Sequence, residues 1–182
     1  MNRTRNLPPQ IFLLAPAILL LLIGLWAGLE RMAWDLPPLG RNLAALHGAL
    51  MVAGFLGTLI ALERATALRV KWFYLAPLFS AAGTVLLLIN VSTFGIALVT
   101  LGSAGLVLIM VFIVRQHSAL YTWLLLIGAS MWLVGNLLWF TGLGIANVVL
   151  WWSGFLILTI VGERLELSRL LRVSRRAQMF FP

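Results

Sequence analysis

Residues 46–64 read LHGALMVAGFLGTLIALER, an apolar run with a single histidine near its start and a Glu-Arg pair at its end. Extended back to Asn42, the run is long enough to cross a hydrocarbon core of about 30 Å as a helix rising about 1.5 Å per residue. Inside it Ala53, Gly57 and Ala61 recur every four residues, so one helical face is narrow enough for another backbone to approach. These features predict a membrane-spanning helix over 42–62.

The rest of the chain agrees. Of its 182 residues 62% are hydrophobic and only 10% charged, more apolar surface than a water-soluble domain of that size buries. The expected fold is all-α: a polytopic membrane protein, one domain of six transmembrane helices. There is no cysteine, which excludes disulfides, thiolate metal sites and cysteine nucleophiles.

Working outward, the uncharged run 11–29 is too long for a signal-peptide core of roughly 7 to 15 residues, so a retained first helix is expected. A polar connection from Glu30 to Arg41, with Asp35 and Pro37-Pro38, precedes the second helix. Further helices are predicted at about 73–88, 93–114, 119–140 and 146–171. They are separated by Asn90-Val91-Ser92, Arg115-Gln116-His117 and Thr141-Gly142-Leu143-Gly144. The last helix runs into a basic tail, 164–182.

Positive charge orients the bundle. With the N-terminus inside, the inner segments collect Arg3, Arg5, Arg64, Arg69, Lys71, Arg115, Arg164, Arg169, Arg172, Arg175 and Arg176. Only Arg31 and Arg41 fall outside, beside Glu30 and Asp35, so both termini are expected in the cytoplasm. In a bacterium this is the inner, plasma membrane. The tail alternates arginine with leucine and ends in Met179-Phe180-Phe181, a pattern for anionic inner-leaflet lipids. No aromatic residue interleaves those arginines, so nucleic acid is not an expected partner.

Gly54-Phe55-Leu56, Ile60 and Glu63-Arg64 recur as Gly154-Phe155-Leu156, Ile160 and Glu163-Arg164, which raises a parallel repeat of helices one and two in helices five and six. If the two helices are neighbours, Glu63 reaches Arg164 and Glu163 reaches Arg64 in a reciprocal structural clamp. A proton or ion entrance is the alternative use of the same pairs.

His47 carries the chemical interest, because an ionisable ring inside a membrane helix needs a partner. Met51 lies one turn further on the same expected face, followed by Gly54 and Thr58. His117 falls at the opposite membrane face, so the two histidines cannot share a metal within one chain. Depth counting places Trp26, Trp132, Asn136, Trp139, Trp151 and Trp152 in the layer of His47, largely as an aromatic belt. A His47–Asn136 hydrogen bond is the expected structural explanation of both polar side chains.

The pattern His47, Met51, Gly54-Phe55 after an apolar first helix and a proline-containing loop resembles the N-terminal two-helix unit of NnrS-type membrane proteins, over about residues 11–65. That family is associated with haem, copper and nitric oxide metabolism. His47, Met51, Gly54 and Phe55 match its HAHEMxxGF-like helix, whereas Ala49 and Leu50 stand where the family has a second histidine and a glutamate. His-Gly with a downstream methionine is also similar to the haem-ligand helix of haem-copper oxidases. The resemblance implies His47 as an axial haem ligand, with Met51 as a further cofactor contact. Copper held by His47 and Met51, with Glu30 or Asp35, is the less complete site.

Three functions follow: a structural or accessory subunit of a larger membrane assembly, with a membrane-protein partner or a second copy; a haem-binding redox or gas-responsive protein using His47; and a small-molecule transporter. Helices three to five offer mostly Ser, Thr and Gly at mid-depth, which disfavours ion coupling. No Gly-rich phosphate loop, paired-carboxylate site or Ser-His-acid set is visible, so an enzyme is not expected.

Overall fold

The structure, a computed structural model, describes residues 9–37, 39 and 43–178, with side chains over 12–37, 39 and 43–169. The expected roles of Arg3, Arg5, Arg41 and Met179-Phe180-Phe181, and of the side chains of Arg172, Arg175 and Arg176, lie outside the described residues. The described chain is helical, without strands: α1 (Pro9–Arg31), α2 (Leu43–Ala49), a π-helix (Leu50–Gly57), α3 (Thr58–Leu68), a 3-10 turn (Lys71–Tyr74), α4 (Leu75–Leu88), α5 (Ser92–Gln116), α6 (Leu120–Phe140) and α7 (Ile145–Gln178). Six stretches among them are long and apolar enough to cross a membrane. The protein is therefore an integral membrane protein by length and composition.

Breakers set the ends. Arg69, at φ 56°, closes α3 in the left-handed region, and Asn90, at φ 63°, turns the chain after α4. Gly142, at φ 96°, does the same between α6 and α7. Thr122 starts α6 by accepting the Ala119 N–H at 3.0 Å. The second span reaches Leu68, beyond the expected 62, because no breaker precedes Arg69. α7 runs to Gln178, so much of the basic tail is helix.

The second span, Leu43–Leu68, is the central element: 44% of its apolar window is buried, more than in any other span. α1 packs along it, α4 lies on another side, and α4 to α7 pack in chain order. α6 and α7 reach it through aromatic rings. A Cβ on Gly57 would collide with the Trp132 indole, and one on Gly48 would touch Trp152 at 3.6 Å. Trp132 stacks on Phe155 with centroids 5.0 Å apart, and Trp139 meets Trp152 edge-on at 5.4 Å. Trp132, Trp139 and Trp152 are thus core side chains instead of belt residues; Trp151 is exposed.

Small residues bring α4 and α5 together. A Cβ on Gly102 would stand 2.8 Å from the Ser80 nitrogen, and one on Gly83 2.7 Å from the Gly95 oxygen. The seam within the second span has a feature not foreseen. Its middle is π-helical over Leu50–Gly57, and the wider turn leaves Ala53 O to accept hydroxyls from Thr58 (3.2 Å) and from Ser80 of α4 (2.7 Å). A π turn also rotates the later half of the span relative to His47.

Candidate functional site

Two polar constellations stand at opposite ends of the second span, one around His47 and one around Arg64. At the first, His47 faces α1. Its Nδ1 lies 2.8 Å from the carbonyl oxygen of Gly24. A carbonyl only accepts, so Nδ1 carries a proton, and the tautomer this selects has its lone pair on Nε2. Nε2 makes no hydrogen bond among the described residues.

The ring fits there because α1 has no side chain at two successive turns. A Cβ on Gly28 would stand 2.9 Å from His47 Cε1, and one on Gly24 2.9 Å from the Met51 sulfur. Gly24 and Gly28 are spaced by four, a small-residue seat that the sequence displays and that was not among the expected site residues. His47 then forms one wall of an open groove of about 530 Å³, with Leu25, Gly28, Leu29, Arg31 and Met32 of α1 and its end. That volume is typical of small-molecule sites, ~300–1,000 Å³.

The other expected members of this site are elsewhere. Met51 packs its sulfur on Gly24 and does not line the groove. Gly54 packs against Thr84 and Leu20, and Thr58 is fully buried on its own backbone, so the expected stripe does not wall one cavity. Asn136 does not meet His47: its Oδ1 accepts the Trp152 indole N–H at 3.0 Å, one helix away, while its Nδ2 is buried without a partner among the described residues. The backbone of α1 supplied the acceptor that Asn136 was expected to give. Among the described residues no group of three or more His, Asp or Glu is placed to hold a metal ion.

At the second constellation Arg64, 8% exposed, gathers three of the chain's five acidic residues. It lies 3.2 Å from Glu166, 3.5 Å from Glu163 and 3.8 Å from Glu63. The expected Arg64–Glu163 half of the clamp forms, and the Glu63–Arg164 half does not. Arg164 is on the exposed side of α7, while Glu163 and Glu166, three residues apart, share the side facing Arg64. Glu166 was missed, although its spacing from Glu163 marked it.

One family model matches residues 10–181, nearly the whole chain. The chain belongs to that family, DUF8744, a domain of unknown function. No curated protein and no solved structure matches it.

Proposed function

We propose that this protein binds haem at the α1–α2 end of the bundle, with Nε2 of His47 as the axial ligand, as a redox-active or gas-responsive membrane protein. One observation carries the reading: the Gly24 carbonyl fixes the His47 tautomer from behind and leaves Nε2 without a protein partner beside an open, largely apolar groove. Histidines that ligate metals characteristically give their other ring N–H to such an acceptor, which orients the ring and raises its basicity.

The residues present fit the group. Leu25, Leu29 and Met32 give the macrocycle an apolar wall, Gly28 lets a flat ring come close, and Arg31 is a cation for its carboxylates. Bound there, haem would supply gas binding or one-electron transfer. Met51 would not contact it, since its sulfur is turned onto Gly24. The Gly24 carbonyl holds the proton on Nδ1, and Leu25 and Leu29 would give the group apolar contact.

The purified chain is expected to show a Soret band that His47→Ala removes and His117→Ala keeps, because His117 is exposed at the far end of α5. A colourless, folded protein after haem reconstitution refutes the proposal.

A structural or accessory role in a larger membrane assembly is the second reading. It is favoured by an apolar groove of about 330 Å³ on the outside of α4 and α5, where Trp72 is 78% exposed beside Phe79, Leu101 and Leu108. Copurification of a defined membrane partner, lost in Leu108→Trp, supports it; an isolated chain in gently solubilised membranes opposes it. In either role we place both termini in the cytoplasm, where eleven of the 13 basic residues, all but Arg31 and Arg41, then lie.

A further inference from the structure

The second span and α7 run side by side in the same direction, Gly48 meeting Trp152 near one end and Arg64 meeting Glu163 near the other. Between them lies a groove of about 220 Å³. Leu56, Leu59, Ile60 and Glu63 form one wall, and Leu156, Thr159, Ile160 and Glu163 form the other. Each set occupies one helical stripe, in the same order, so the groove is largely apolar, with the Thr159 hydroxyl as its one polar group before the carboxylates at one end.

The carboxylates sit together at one end of the groove. Glu63 stands five residues before its span ends at Leu68, and the Arg64–Glu163 contact holds Glu163 at the same level. Leu56 and Leu156 lie about two helical turns from these carboxylates, toward the middle of their spans.

Charge is not balanced there. Arg64 is shared among three carboxylates and sits closest to Glu166, which does not line the groove, while Glu63 touches Arg64 only at 3.8 Å and stays 59% exposed. The three carboxylates and Arg64 together carry a formal charge of −2, and two of the three carboxylates line the groove. One residue beyond Glu163, Arg164 is exposed and makes no ion pair among the described residues. The mouth therefore offers anionic acceptors at the end of a largely apolar channel, with Arg164 next to Glu163 in sequence.

We propose that this groove binds a phospholipid with a primary-ammonium headgroup, of the ethanolamine type. Its acyl chain lies along Leu56, Ile60, Leu156 and Ile160, its ammonium between Glu63 and Glu163, and its phosphate toward Arg164. An ammonium brings three N–H donors to two carboxylates. A choline headgroup has none, and an anionic glycerol headgroup leaves the carboxylates uncompensated. A soluble cation makes no use of the apolar walls.

The test is native mass spectrometry of the full chain released from bilayers of equal phosphatidylethanolamine, phosphatidylcholine and phosphatidylglycerol. The wild type is expected to retain the ethanolamine lipid at least about fivefold over the others, roughly 1 kcal/mol. Glu63→Gln should erase that preference, and Ile160→Trp should remove the bound lipid by filling the groove; Leu150→Trp, elsewhere on α7, should change neither. Glu63 and Ile160 are 59% and 60% exposed, so both variants are expected to fold, with thermal unfolding in detergent as the check. Equal retention of the three lipids overturns the proposal. So does a preference that survives both Glu63→Gln and Ile160→Trp, or a polypeptide crosslinked at Ile160 in place of lipid.

Discussion

The imidazole of His47 donates Nδ1–H to the carbonyl of Gly24, 2.8 Å away on α1, and rests its edge on Gly28 one turn further along. This joins the first two spans at a point where neither has another polar contact with the other among the described residues. It also makes the two glycines of α1 as consequential as the histidine.

Gly28→Leu is expected to push His47 out of its seat. The added side chain begins 2.9 Å from the ring, an overpacking that costs about 1–3 kcal/mol. Gly24→Ala meets the flexible end of Met51 and should cost less. Thermal unfolding in detergent ranks the two, and Gly28→Leu should in addition abolish haem uptake.

Met51→Leu should leave the absorbance spectrum and ligand binding of the haem-loaded protein unchanged, because its sulfur is turned onto Gly24. A spectral shift on this substitution, with His47 intact, would show that Met51 reaches the iron and that the groove is not the site.

Removing Arg64 leaves three carboxylates facing one another. The cost of breaking a buried pair is discounted here because Glu63, Glu163 and Glu166 keep 59%, 37% and 35% exposure, so Arg64→Met should destabilise by about 1–3 kcal/mol. Arg164→Met should be within about 0.5 kcal/mol of wild type as an exposed surface change. Equal effects of the two would restore the reciprocal clamp that the sequence predicts.

Trp152→Phe deprives the buried Asn136 amide of its one side-chain donor. An unpaired buried polar group costs about 1–3 kcal/mol, and the double variant with Asn136→Leu should recover part of it. Additive losses in the cycle would mean that the two side chains are not coupled.

Because the chain has no cysteine, single introduced cysteines report sidedness directly. His117→Cys and Leu143→Cys, on turns at opposite ends of α6, should be labelled from the cytoplasmic and the outer side respectively by a membrane-impermeant reagent. Labelling in the reverse sense would invert the orientation.

By itself the sequence determined the number and order of the spans. That information is one-dimensional: hydropathy over about 20 residues marks a crossing, and Asn90 and Gly142 mark turns, whereas Arg64 does not stop the second span, which runs on to Leu68. Small residues at 80–83 and 102–105 are visible as close-packing positions by identity, and only the structure pairs them across α4 and α5. Which side chains meet depends on how each helix is rotated about its axis and on which neighbour it faces, and apolar sequence specifies neither when lipid and protein are equally good surroundings. Trp132 and Trp152 accordingly read as belt residues and are core. The π turn at Leu50–Gly57 adds a rotation that regular 3.6-residue counting misses. Tertiary structure alone therefore decided that His47 turns to the Gly24 carbonyl, that Asn136 turns to Trp152, and that Glu166 joins Glu163 on Arg64 while Arg164 faces outward.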